Sequence, residues 1–472
     1  MNKNIDTFRI EKDYLGEMKV PAAAYYGVQT ARAIENFPIS GQTVLPVFTM
    51  AMVSIKKAAA MVNVELGCID SKIGNMIILA CDRILNGEFQ DQFLVDVYQA
   101  GAGTSQHMNV NEIIANITIE TLGGVKGDYS KVHPNDHVNY GQSTNDVYPT
   151  AMRIAALQLS KRLVKNLFAL TETFKKKSKS LDSIVKSGRT HLHDAAPIRV
   201  GQEFSGYADS LFKSTRGVEK ASESLKELGI GGSAVGTGIN TYPEYTGRIV
   251  EKLRKIVNLD VKESKNRFEA MQSSAPFVEL SGAIRTVAVE LIRIANDIRL
   301  MNSGPNTGLA EIDIPAVQPG SSIMPGKVNP VIPEMMNMVC FSVMGNDLSI
   351  ALAAQAGQFE LNVMMPLIQY KLLDSIIILT NATKIFDEKC IYGITVNEAR
   401  CRDYAMRSLG IVTVLNPIIG YSKASEVVVE SMKTGKSVRD VLLEQDLLSQ
   451  EQLDQALSPQ SMTEPGIRKI GV

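Results

Sequence analysis

Apolar side chains recur at Leu280, Ile284, Val287, Leu291, Ile294, Ile298 and Met301, a strict alternation of four- and three-residue steps. That spacing is the seam of a helix packed lengthwise on other helices. A second stripe follows Pro149 at Met152, Ala156, Leu159, Leu163, Leu167, Leu170 and Phe174. Pro276 stands near the start of the first stripe, and Gly304-Pro305 ends it, because proline cannot continue a helix. Between Met335 and Tyr370 only Asp347 and Glu360 carry charge. About 25 such residues in helical form would reach roughly 40 Å, and so apolar a helix must be covered on most sides. One chain would struggle to cover several of these, so burial between copies is expected, in a homo-oligomer with a shared helical core. The fold class this predicts is mostly α, with a long central helical bundle; a monomer built as one wide bundle is the alternative.

At 472 residues the chain exceeds the roughly 250–300 that one core serves. The stripes organise its middle. Residues before them alternate Gly, Asn and His with shorter helical runs, and those from about 400 onward read as short helices. The expected division is 1–144, an N-terminal mostly helical domain; 145–399, the long-helix domain; and 400–472, a small C-terminal helical domain. Lys+Arg number 49 against Asp+Glu 50, a net charge of -1. That balance removes the field that gathers nucleic acid or an anionic membrane, while a local cationic pocket for a small anion stays open. No unbroken apolar run of about 18 residues is seen, so no membrane span is expected. The opening MNKNIDTFRIEKDYLG has no apolar leader core, and the five cysteines are scattered, odd in number and free of any CxxC pair. A reducing cytoplasm is the expected compartment, without disulfides or structural zinc.

All five histidines fall between His107 and His193. His133 and His137 are four apart, but HPNDH holds a proline and two turn formers, so a helix there is doubtful and zinc is not expected. His191 sits in SGRTHLHD beside Arg189 and Thr190, a cluster of polar groups that fits a structural and a functional role equally. GQSTND, with Ser143, Thr144 and Asn145, reads either as a helix N-cap or as an anion site built on the same free N–H groups. GAGTS is similar: Gly101 and Gly103 would let backbone approach a ligand, with Thr104 and Ser105 as donors. PGSSIMPGKVNP interleaves three prolines and two glycines with Ser321, Ser322, Lys327 and Asn329. It fails the phosphate-loop pattern, since Val328 stands where a hydroxyl is needed, and loops of such composition often carry function.

At these residues the chain resembles the aspartase/fumarase superfamily. The likeness lies in QPGSSIMPGKVNP and extends over nearly the whole chain, through AYYGVQTARAIENFPISG, DQFLVDVYQAGAGTS, HVNYGQSTNDVYPTA, SGRTHLHDAAP, GSAVGTGINT and GKSVRDVLLEQDLLS. QSTND and the opening RIEKDYLGEMKVPAAAYYGVQT are most similar to the aspartate ammonia-lyase branch. The resemblance implies a three-domain, mostly helical fold whose central helices join in a homotetramer, with each active site drawn from three subunits. It implies anti elimination of ammonia from L-aspartate to give fumarate, through an aci-carboxylate intermediate. It assigns Ser321 as the general base, with Lys327, His191 and Glu334 as further catalytic groups, Glu334 pairing with His191. Thr104, Ser143, Thr144 and Ser322 are implied to hold the β-carboxylate; Lys327 and Asn329, with Thr190, the α-carboxylate; Asn145 and His191 the amino group. No cofactor or metal is implied. The implied partner is a small dicarboxylate amino acid.

The chain departs from the family pattern at His107, usually Asn, at Asn306, usually Arg, and at Met365, usually Glu. Those changes keep two rivals in view, a fumarate hydratase and a lyase releasing a larger amine, such as an ergothioneine lyase. A non-catalytic relative would have no need of Ser321, Lys327, Thr190 and His191 together.

Overall fold

The computed structural model describes residues 8–466, which are mostly helical. Among the described residues five helices exceed 20 residues: Thr144–Ser180 (37 residues), Val200–Ser222, Ala275–Met301, Val331–Ala354 and Met365–Lys389. At 1.5 Å per residue the first spans about 55 Å. Every residue of the two predicted stripes is buried, from Met152 to Phe174 and from Leu280 to Met301. The low-charge stretch forms most of Val331–Ala354 and the first turns of Met365–Lys389, broken by the turn between them.

The chain forms two compact units. The first comprises Met1–Val164, Arg216–Thr286 and Phe341–Leu379. In it the helix Pro46–Glu65 packs on Ser71–Leu85 and Tyr245–Val257. Buried Glu112, on Thr104–Thr121, caps the helix Val28–Asn36 from outside, accepting the N–H groups of Gly27, Gln29 and Thr30 and the Thr30 hydroxyl. Asp347, one of the two charges in the apolar stretch, accepts from Ser281 (2.6 Å) and Arg285 (2.8 Å). Its burial is thereby compensated, as a buried charge requires.

The second unit comprises Lys165–Thr215, Val287–Cys340 and Thr380–Val472. Its strands Val185–Thr190 and His193–Arg199 pair antiparallel, with Thr190 opposite His193. His191 and Leu192 form the turn at positive φ, 56° and 59°. Two such residues make the mirror-image turn that suits hairpin twist, a conformation that costs non-glycine residues energy and is held only where its surroundings enforce it. The hairpin is braced along its length. Buried Glu311 pairs with Arg189 (2.8 Å) and Lys186 (3.5 Å), and Arg199 pairs with Glu464 (2.6 Å). The C-terminal helices close one apolar cluster around Ile411, Leu415, Val427, Leu442 and Leu453, with Val185 of the hairpin in it.

One expectation is corrected. The segment Pro134–Val138 does turn helically, as one wide π turn, because proline is tolerated at the first position and the His133 ring nitrogen accepts the N–H groups of Asn135 and Asp136. Two helices, Pro46–Glu65 and Val331–Ala354, are long and apolar enough to cross a membrane by length and composition, although neither is an unbroken apolar run. The first is largely buried and carries Lys56 and Lys57. The second is only 39% buried over its most apolar window, and Met338, Phe341, Met344, Leu348 and Leu352 form an exposed row along it.

Candidate active site

In the first unit Thr104 and Thr144 each open a helix, Thr104–Thr121 and Thr144–Ser180. Gly103 precedes the first at φ +88°, and a Cβ there would lie 2.0 Å from the Tyr148 ring of the second. Gly101 in turn sits against Val363. The two glycines therefore bring protein against protein rather than opening the backbone to a ligand, which corrects the reading of GAGTS. The contact sets two helix N-termini side by side. Their free N–H groups and aligned dipoles favour an anion.

The N-cap reading of GQSTND holds. The Ser143 hydroxyl accepts the Asn145 N–H (3.2 Å), and Asp146 Oδ1 accepts the Ser143 N–H (2.9 Å). Asp146 is fully buried, and its other oxygen accepts the N–H groups of Gly231 and Ser233, each at 3.0 Å. Burial pushes its carboxyl up to about 6, although all three N–H bonds and the charge of Lys56 pull the other way. Asp146 thus ties the GSAVGTG segment to the first turn of the Thr144 helix. Asn145 donates its amide N–H to the Ala234 carbonyl (2.8 Å), and among the described residues its Oδ1 has no partner, an acceptor suited to an ammonium. Thr144 Oγ1 lies 2.8 Å from His107 Nδ1, while Thr104 is exposed.

His107 is itself buried and connects inward. Its Nε2 lies 2.6 Å from Lys56 Nζ, which donates to Asn139 Oδ1 (2.7 Å) and Gln142 Oε1 (3.0 Å). Neither Lys56 nor Asp146 was singled out from sequence. The available signal was a lysine inside the apolar run AMVSIKKAAAMV.

In the second unit the serine loop is closed on itself. Gly320 N–H donates to Lys327 O (2.7 Å), and Asn329 Nδ2 donates to Gly320 O (2.6 Å). Ser321 Oγ accepts the N–H groups of Ile323 (3.2 Å) and Met324 (2.9 Å). Two donors on one hydroxyl oxygen favour its deprotonated form. A cavity of about 610 Å³ is lined by Ser321, Ser322, Lys327 and the apolar residues of the loop. Ser322 and Lys327 are exposed, as are Thr190 and His191 at the hairpin tip. Glu334 stands 4.0 Å from Arg299, and no ion pair or hydrogen bond joins it to His191 among the described residues. Of the departures, Met365 is buried at the start of its helix, as packing requires, and Asn306 is exposed. Among the described residues no group of three or more His, Cys, Asp or Glu could hold a metal ion.

A family model described as a lyase matches residues 16–345, and a model of the fumarase C C-terminus matches 411–464. The chain is 47% identical over 459 residues to an aspartate ammonia-lyase of Helicobacter pylori, covering 97% of this chain and 98% of that one. It is 47% identical over 471 residues to an aspartate ammonia-lyase of Escherichia coli, covering 99% and 98%. The chain belongs to the aspartase/fumarase family of lyases. Solved structures agree with this fold. A cobalt-bound fumarate lyase:delta crystallin of Brucella melitensis superposes with a TM-score of 0.94 at 44% identity, covering 97% of this chain and all of that one. A class II fumarase of Schistosoma mansoni gives 0.93 at 37%, covering 97% and 99%. The long helices and the serine loop of this chain are therefore those of a family lyase, and its buried His107 is a feature to be explained within that frame.

Proposed function

We propose that the chain is an aspartate ammonia-lyase, converting L-aspartate to fumarate and ammonia, with Ser321 as the base. The observation that carries the mechanism is the Ser321 oxygen held by two backbone N–H groups in a loop that also bears Lys327. The relatives named as aspartate ammonia-lyases, alike over nearly the full chain, supply the substrate.

The hard step is loss of a proton from the carbon beside the β-carboxylate. The electron pair moves into that carboxylate, so donors must strengthen on its oxygens as charge grows. Thr104, Ser143, Thr144 and Ser322 take this role, with the paired helix N-termini behind the first three. Lys327, Asn329 and Thr190 hold the α-carboxylate. When the aci-carboxylate collapses, the C–N bond breaks and the ammonium leaves as neutral ammonia, so no acid is needed at that nitrogen. The Ser321 hydroxyl then gives up the proton it took, and ammonia leaves the site as ammonium. Asn145 and His191 face the amino group, and Glu334, which does not bond His191 within one chain, is proposed to orient it in the assembled site. A departing hydroxide, as from malate, would need a proton donor at the same place.

Thr104 and Ser143–Asn145 belong to one unit, whereas Thr190, His191, Ser321 and Lys327 belong to the other. The complete site is assembled between copies in a homotetramer, and the exposed row from Met338 to Leu352 is the surface that a second copy covers. The reading places the enzyme in the cytoplasm. Following fumarate absorbance after adding L-aspartate or L-malate tests the reaction. The expected response is to aspartate; a response to malate alone would make the protein a hydratase.

A further inference from the structure

Behind the Thr144 hydroxyl lies a closed set of hydrogen bonds whose proton inventory can be worked out. Asn139 donates its amide N–H to Gln142 O (3.1 Å), and Gln142 donates its own to Val138 O and Tyr140 O, each at 3.2 Å. Both amides are thereby oriented, and the oxygens they turn to Lys56 can only accept. An ammonium has three N–H bonds and here finds three acceptors: Asn139 Oδ1, Gln142 Oε1 and His107 Nε2. With Nε2 bare, the ring proton sits on Nδ1 and is donated to Thr144 Oγ1. The Thr144 hydrogen is then free to point at a carboxylate.

A neutral amine reverses the pattern. Its two N–H bonds go to the two amide oxygens, and its lone pair accepts from His107 Nε2–H. Nδ1 is then bare and takes the Thr144 hydrogen for itself. One proton has left Lys56 for solvent, and the imidazole has stayed neutral while its hydrogen moved from Nδ1 to Nε2.

We propose that Lys56 and His107 are positioning residues, a buried relay that aims the Thr144 hydrogen at the bound dicarboxylate while Lys56 is charged and withdraws it when Lys56 is neutral. The inference rests on the reading of Thr144 as a carboxylate donor. The groups facing the pair are known from each packed helix. Lys56 lies on Pro46–Glu65, His107 on Thr104–Thr121, Asp146 on Thr144–Ser180 and Cys81 on Ser71–Leu85. Burial draws the Lys56 ammonium down to about 7, with Asp146 and Cys81 opposing. Burial and the charge of Lys56 hold His107 well below its ordinary value, and burial raises Asp146 only to about 6, below the range tested, which leaves the charge of Lys56 as the one lost within it. The thiol of Cys81 is pushed up by burial and stays neutral.

The test is equilibrium binding of succinate, a dicarboxylate that cannot react, to the intact wild-type protein, to His107→Asn and to Thr144→Val, from about pH 6.5 to about pH 9. One hydrogen bond to a charged group is at stake, so wild-type affinity should fall about tenfold across that range. An amide cannot shift a proton between its oxygen and nitrogen and is too short to bridge Lys56 and Thr144 as the ring does, so His107→Asn should bind with little dependence on pH. Thr144→Val should bind weakly throughout and also lack the slope. A plain attraction between the Lys56 charge and the anion would persist in both variants. The wild-type slope surviving in either one, or no slope in the wild type, overturns the relay. Failure to turn over aspartate with the slopes as expected would count against the proposed reaction while supporting the relay.

Discussion

Two regions of this chain hold a hydroxyl oxygen ready for chemistry, and they do it in opposite ways. At the Thr144 corner the oxygen faces a buried histidine, backed by a buried lysine and flanked by a buried aspartate. Lys56 and His107 meet across two helices, and Asp146 is held by the N–H groups of Ser143, Gly231 and Ser233. At the serine loop the Ser321 oxygen is held only by N–H groups two and three residues further on, and most of the loop is exposed. The first arrangement is rigid because core packing would have to break for it to move. The second, among the described residues, rests on hydrogen bonds within its own loop. On the proposed roles, a grip fixed in the core and a base carried on a self-contained loop suit a reaction in which the substrate must be aligned before a very weak carbon acid is attacked.

The comparison breaks most visibly at the base. Ser321→Ala should lower kcat/KM by about 10³-fold or more, while succinate binding changes little. Equal losses in both would mean that Ser321 binds rather than reacts. Next is assembly. Phe341→Glu places a charge in the exposed apolar row of Val331–Ala354 and should yield smaller species by light scattering, with activity lost in proportion. An intact, active oligomer would remove that face from the interface. At the rigid corner, Asp146→Asn presents an amide N–H to backbone N–H groups that now meet carboxylate oxygen, and should cost about 2–3 kcal/mol of stability by denaturant unfolding. A neutral result would show that the corner is not held from behind. The smallest effect belongs to the loop. A Cβ on Gly320 would lie 2.6 Å from Asn329 N and 2.8 Å from Lys327 O. Gly320→Ala should therefore open the loop base, lowering kcat about tenfold with unchanged thermal stability. A large loss of stability would tie the loop to the core after all.

The same contrast explains what was legible in the sequence. The stripes from Met152 to Phe174 and from Leu280 to Met301 read directly, because helix burial imposes its period on neighbouring residues. The serine loop was also plain, since its bonds join residues within ten positions. HPNDH was misread because proline and turn formers suggest a loop, whereas the His133 ring supplies the missing acceptor. Lys56 and Asp146 stayed hidden because their partners lie far along the chain: His107 is 51 residues from Lys56, and Gly231 is 85 from Asp146. The glycines of GAGTS read as room for a ligand, whereas Tyr148 and Val363 fill the space.

The central claim is that the rigid corner and the serine loop meet only between copies of the chain. Ser321→Ala and Thr144→Val, each inactive alone, should be unfolded together, refolded and assayed with L-aspartate. If each site takes the two segments from different subunits, random mixing leaves about a quarter of sites intact, and activity should return to about that fraction of wild type. A mixture as inactive as its parents, with hybrid oligomers demonstrated, would contradict the account.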